Sequence, residues 1–151
     1  MKVVLNASPI IFLLKLNKLG LINKLFEKVF IPHAVIKEIL DIDLTGIEYT
    51  QINIENVTAV KGLLGRLHIG EVEVMIGAIE NNIEMVVLDD KYARNKAKQL
   101  GLKVTGTAGL LLRAYKLGLV ITLEDELRKL QQAGAYISDE VIEVILMEFT
   151  N

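Results

Sequence analysis

Five polar positions in an apolar chain stand where chemistry is usually done. Asn6 ends a short run, Val3-Val4-Leu5, and Ser8 and Pro9 follow at once. Asp89 and Asp90 end a second run, Met85-Val86-Val87-Leu88. In open α/β sheets, ligands bind beyond the carboxyl ends of the strands, where such polar stops sit. Glu71 heads the stripe Val74, Met75, Ala78, Ile79, three and four residues before its first two members. Glu38 stands among Val35, Ile36, Ile39 and Leu40. A carboxylate at the head of an apolar stripe is expensive to bury alone. One divalent cation would neutralise several, and Mg²⁺ or Mn²⁺ prefers oxygen ligands with waters retained. A metal held this way activates water and stabilises a phosphoryl transition state.

Each position also has a plainer reading. Asn6 can cap or tie a strand-to-helix turn, and Glu71 can be a first-turn residue favoured by the helix dipole. Glu38 can pair with Lys37 or another surface cation. One of Asp89 and Asp90 can cap the helix that follows, which leaves the other free. Ser8 reads as a helix cap and not as a nucleophile, since no His–Asp partner set accompanies it. His33 and His68 lack partners at ligand spacing and read as structural. Glu73, Glu80 and Glu84 read as solvated faces. Lys91, Arg94, Lys96 and Lys98 form either a solvated helix face or, beside a nuclease site, a contact for a polyanion backbone.

Positioning these residues takes alternating strands and helices. After the first strand, Ser8 to Lys18 is a predicted helix ended by Gly20, and Leu21 to Glu27 a second short one. Lys28 to Ile31 is a strand, and Pro32 opens a helix whose apolar face runs from Val35 to Leu40. Asp41 to Tyr49 is a loop; Tyr49 to Ile54 alternates like a strand; Val57, Val60, Leu63 and Leu64 have a helical period. Leu67 to Gly70 is a turn before the helix Glu71 to Glu80. Met85 to Leu88 is continuous in the manner of a central parallel strand. Then come helix Tyr92 to Leu100, strand Leu102 to Val104, helix Ala108 to Leu117, a helix over Leu123 to Ala133 capped by Thr122, and a last helix capped by Ser138. This alternation predicts one α/β domain over residues 1–151, a parallel sheet with helices on both faces. The last two helices are expected to cover the sheet or build a partner surface.

Bulk properties narrow the class further. At 151 residues and 52% hydrophobic the chain can bury one substantial core. A net charge of −2 excludes a whole-molecule basic field, so any nucleic-acid surface must be local. The absence of cysteine removes disulfides, zinc–thiolate sites and Cys nucleophiles. Asn6, Ser8 and Pro9 interrupt the first apolar run, and Lys15, Asn17 and Lys18 stand where a cleavage site would be, so no signal peptide is read. No apolar segment approaches the roughly 18 residues of a membrane span, and the cytoplasm is the expected compartment.

The order Asn6-Ala7-Ser8-Pro9-Ile10, Phe30-Ile31-Pro32 with Glu38, Gly70-Glu71-Val72-Glu73, Leu88-Asp89-Asp90 with Ala93-Arg94, and Val104-Thr105-Gly106-Thr107 resembles the PIN-domain superfamily. It is most similar to a prokaryotic PIN-like branch related to VapC-type toxins, and the resemblance spans essentially the whole chain. It implies a three-layer α/β/α sandwich with a central parallel sheet, and a Mg²⁺- or Mn²⁺-dependent ribonuclease. Carried over, the metal and catalytic positions are Asn6, Glu38, Glu71 and either Asp89 or Asp90. Ser8, Lys91, Arg94, Thr105 and Thr107 would meet the RNA. One position departs from the pattern: the first-strand residue is typically Asp in PIN nucleases, and Asn6 brings an oxygen without a charge.

Two function classes follow. One is an endoribonuclease, the toxin of a toxin–antitoxin pair, with a small antitoxin-like partner and a homodimeric state expected from the resemblance. The other is a PIN-like module with weakened catalysis that binds RNA or a protein. A receiver domain ranks last, because its acidic pair would follow the first strand, where this chain has Asn6.

Overall fold

The computed structural model describes residues 1–149. Its sheet is built from β1 (Lys2–Leu5), β2 (Lys28–Pro32), β3 (Thr50–Ile52), β4 (Met85–Val87) and β5 (Lys103–Thr105). All pairings are parallel, in the order β3-β2-β1-β4-β5. The side chains of Val3, Val4 and Leu5 on β1, and of Val86 and Val87 on β4, have no exposed surface. That is why these two strands read as continuous apolar runs: both of their faces are covered.

The helices are α1 (Ala7–Lys15), α2 (Leu21–Leu25), α3 (His33–Glu38), α4 (Val57–Leu63), α5 (Ile69–Glu80), α6 (Lys91–Gln99), α7 (Thr107–Lys116), α8 (Leu123–Gln132) and α9 (Asp139–Phe149). Helix α5 lies against β1, β2 and β4, with α3 and α4 packed on it. Helix α7 packs with α1 and α2. The result is the expected three-layer α/β/α sandwich. Helix α8 covers α7 and α9 rests on α8, so the last two helices build outward from α7. Among the described residues no helix is long and apolar enough to cross a membrane.

The strand order has one functional consequence. From β1 the chain steps outward to β2 and β3, then returns through α4 and α5 to β4 on the other side of β1. The order therefore reverses between β1 and β4, and such a switch point opens a crevice at the strands' carboxyl ends. Asn6 N–H donates to Val87 O at 3.2 Å, which fixes the two strand ends side by side.

Several predicted boundaries move. Helix α1 begins at Ala7 with Asn6 in the N-cap position, so Ser8 and Pro9 lie inside the first turn and Ser8 is not the cap. Pro9 is tolerated there because the first-turn N–H groups have no helical acceptor. The helix ends well before Gly20: Asn17 takes the left-handed conformation (φ 58°) and Lys18 N–H returns to Leu13 O at 2.7 Å. Helix α3 stops at Glu38, and Leu40 is exposed instead of completing an apolar face. Ile79 is likewise exposed. Thr122 makes no side-chain cap, whereas Ser138 Oγ accepts Val141 N–H at 3.1 Å as expected.

Gly77 lets α5 approach β3. A methyl there would stand 2.7 Å from Ile52 Cδ1 and 3.0 Å from Ile54 Cδ1. Overpacking costs about 1–3 kcal/mol, while alanine returns about 1 kcal/mol of helix propensity. Gly77→Ala is expected to lower stability by about 1 kcal/mol in urea unfolding. In an Ile52→Val background, which lacks the closest methyl, the same change should become neutral or stabilising. Equal cost in both backgrounds would refute this packing account.

Candidate active site

The crevice collects Asn6 from the end of β1, Glu38 from the end of α3, Glu71 from the first turn of α5, and the Asp89–Asp90 turn that follows β4. Asn6 is buried, yet its side chain makes no cap hydrogen bond to α1. It faces the start of α5: a methyl on Gly70 would stand 3.4 Å from Asn6 Oδ1 and 3.2 Å from Glu38 Oε2. Gly70 therefore leaves open the space that both oxygens border.

Glu71 is 7% exposed, and its Oε1 accepts the His68 N–H at 2.9 Å. That bond is the expected first-turn role at a helix N-terminus. Burial pushes the Glu71 carboxyl above its usual range; the His68 N–H opposes the shift, and Asp90 and Glu38 add to it. Glu71 thus feels two further negative charges. Among the described residues no Lys or Arg forms an ion pair with Glu38, Glu71 or Asp90. The plainer pairing of Glu38 with Lys37 does not form.

The two aspartates divide. Asp90 is the exposed N-cap of α6, where its Oδ2 accepts Ala93 N–H at 2.8 Å, and it is the one whose charge reaches Glu71. Asp89 turns the other way. Its Oδ1 accepts Thr107 N–H at 2.7 Å and its Oδ2 accepts the Thr107 hydroxyl at 2.8 Å. Burial raises the Asp89 carboxyl, while both Thr107 bonds and then Arg94 pull it down. Arg94 folds inward and donates to the carbonyls of Asp89 and Leu88. A methyl at Gly106 would stand 2.9 Å from Asp89 Oδ1, so the clamp needs a glycine there. Of the residues expected to meet RNA, Arg94 and fully buried Thr107 are thus engaged inside the protein. Thr105 Oγ1 donates weakly to Gly106 O at 3.4 Å, Ser8 is half-buried in α1, and Lys91 is exposed at the start of α6.

Beside Glu38 an open cleft of about 580 Å³ runs between α3 and α5, lined by His33, Lys37, Glu38, His68, Gly70 and Glu73 among others. Glu73 is no solvated face: its Oε1 accepts Ala34 N–H at 2.9 Å and ties the start of α3 to α5. Glu80 departs likewise, accepting the N–H groups of Glu55 and Asn56 at 3.1 and 2.8 Å, whereas Glu84 is exposed and pairs only with Lys103. His33, held by Gln51 Nε2 at 3.1 Å, and His68 both stand on the cleft wall. They lie 35 residues apart in sequence, so no local spacing pointed to them; only tertiary packing joins them.

Among the described residues no three His, Asp or Glu side chains converge closely enough to hold a metal by themselves. The donor set is nevertheless all oxygen. It combines an uncapped amide with carboxylates that pair with no Lys or Arg, two of which raise the third, Glu71, and this suits a hard divalent ion with waters completing its shell.

A three-layer α/β/α sandwich opens its ligand crevice at the sheet switch point, and here acidic side chains line that crevice. More narrowly, the chain belongs to a PIN-domain family: the model of the DUF3368 family, a PIN domain, matches residues 2–151. PIN domains form a nuclease superfamily and generally use divalent metals. Comparison with curated proteins and with solved structures found no match.

A raised carboxyl binds its proton more tightly in the fold than in the unfolded chain. Folding stability therefore falls as pH rises through the window from the ordinary glutamate range to the raised value, and stays lower above it. Glu71→Gln keeps an acceptor for the His68 N–H and removes the charge. In EDTA above neutrality its Tm should exceed wild type by a few degrees, and the gap should close in acid. A variant less stable than wild type at both ends would contradict this electrostatic picture.

Proposed function

We propose that this chain is a divalent-metal-dependent endoribonuclease. The observation that supports this reading best is the buried Glu71 carboxylate, set against Asp90 and Glu38 with no Lys or Arg paired to it among the described residues, near an Asn6 amide that is not used as a cap. Glu38, Glu71 and Asp90 would hold Mg²⁺ or Mn²⁺, with Asn6 as a neutral oxygen ligand. When bound, the ion supplies water activation and charge stabilisation at the scissile phosphate. Asp89 acts one step back: its clamp on Thr107, with Arg94 on the carbonyls, fixes the turn that presents Asp90. Lys91 is placed to meet the RNA backbone, and the cleft along His33, Lys37 and His68 gives the strand a path to Glu38. Ser8 and Thr105 border the same sheet end and take lesser, orienting roles toward water or phosphate.

Manganese-dependent cleavage of RNA is expected, reduced about 10²-fold or more by Glu71→Gln and by Asp90→Asn. Gly70→Ala, which fills the space between Asn6 and Glu38, should cost about 10²-fold with the fold intact. Asp89→Asn should lower Tm as well as activity, which separates it from Asp90→Asn. Metal-independent cleavage that survives these changes would sink the reading.

A second reading rests on Asn6. With one charge fewer, the domain is a weakened nuclease that binds RNA or a protein. Asn6→Asp decides between them: activity that appears only in the variant identifies a degenerate site, and equal activity in both shows that the amide suffices. We also propose a cytoplasmic setting and a partner on the outer layer, either a small antitoxin-like protein or a second copy. Exposed Ile121, Val141 and Val144 support that surface, and light scattering with and without the neighbouring gene product tests it.

A further inference from the structure

A cation–π pair joins the turn before α5 to the first turn of α6. Arg66 sits in the turn before α5, just after Gly65, and Tyr92 is the second residue of α6. The Arg66 guanidinium carbon is 4.2 Å from the centroid of the Tyr92 ring. The pair thus joins the segments that deliver Glu71 and Asp90. Arg66 precedes Glu71 by five residues, and Tyr92 follows Asp90 by two.

A surface cation–π pair can be a simple tie between two segments. Three observations favour a binding role. Tyr92 is 41% exposed, so part of its ring is open to a ligand. Its hydroxyl makes no hydrogen bond within the described residues. Arg66 makes no ion pair with any described carboxylate, although acidic side chains surround this end of the sheet, so its N–H donors stay open to a ligand. A guanidinium plane holding an aromatic ring in place, with its donors free, matches one nucleotide: the ring stacks a base, and the guanidinium takes the adjoining phosphate. Lys91 stands next to the ring and adds a second cation for the strand.

We propose that the Arg66–Tyr92 stack is a nucleotide-docking platform on the rim of the candidate active site, with Tyr92 stacking a base and Arg66 binding the neighbouring phosphate. The proposal rests on the nucleic-acid reading above. It makes both residues positioning residues that anchor the strand at the segments delivering Glu71 and Asp90, while the α3–α5 cleft receives it beside Glu38.

The test is binding in EDTA, where no cleavage occurs, read by fluorescence anisotropy with the full chain. The probes are a labelled single-stranded RNA of about 12 nucleotides and the same strand with its central bases removed to leave abasic riboses. Tyr92→Ala should bind the base-bearing strand roughly 5- to 100-fold more weakly than wild type, and Tyr92→Phe within about twofold. Arg66→Ala should weaken both probes and reduce the salt slope by about one. The abasic strand should bind wild type about as weakly as the base-bearing strand binds Tyr92→Ala. Equal affinity of wild type for the two probes overturns the platform, even where Tyr92→Ala fails to fold. So does unchanged binding by a folded Tyr92→Ala. If that variant also cleaves RNA normally with manganese, the platform falls and the nuclease reading stands. If wild type binds neither probe, both fall.

Discussion

The crevice depends on the cost of burying Glu71. A carboxylate almost out of water, with two more acidic side chains in electrostatic reach and, among the described residues, no Lys or Arg paired to it, weakens the fold that holds it. Nearby features offset part of that cost. At the start of α5 the N-cap His68 donates its N–H to the carboxylate. Glu73 ties α3 to α5, so that the wall carrying Glu38 cannot swing away. Gly70 keeps the shared space clear of a side chain. Residual strain of this kind is common where a protein leaves charge to be satisfied by a ligand.

The paired aspartates show how one turn can serve both the fold and the site. Adjacent residues after a strand point in different directions, so Asp89 and Asp90 cannot share a task. Asp89 is spent on α7: two bonds to Thr107 and the inward Arg94 lock the carboxyl ends of β4 and β5 to the next helix. Asp90 caps α6 through a single oxygen, and its charge still reaches Glu71. A cap uses one lone pair of a carboxylate that offers several, so capping and ligation are compatible in one side chain.

The fold was largely legible because burial on both sides leaves an unmistakable trace. Val3-Val4-Leu5 and Met85-Val86-Val87-Leu88 have no polar alternation, and that continuity alone marked the central parallel strands. The polar stops Asn6 and Asp89-Asp90 then located the crevice. What local pattern could not give was the direction of each side chain. Asp89 and Asp90 look equivalent in sequence and differ only in which neighbour they meet. Arg94 reads as part of a basic face and is instead an internal brace. Glu73 and Glu80 look like surface charges and prove to be ties to distant backbone N–H groups. His33 and His68 read as structural and the Arg66–Tyr92 pair leaves no local trace, because their partners come from remote segments. Boundaries slipped where a non-glycine took a glycine's role, as Asn17 did in ending α1.

Asn6 draws these threads together. It occupies a buried position that borders, with Glu38, the space beside Gly70, at the end of a strand locked to β4. A carboxylate there would add another negative charge to a cluster that already raises Glu71, and the metal-free fold would carry the added repulsion. An amide keeps the oxygen and removes that penalty. The same exchange lowers the attraction for a cation, since one charge fewer faces it. Under the proposed metal-dependent reading, a neutral oxygen at this position would trade weaker ion binding for a sturdier fold.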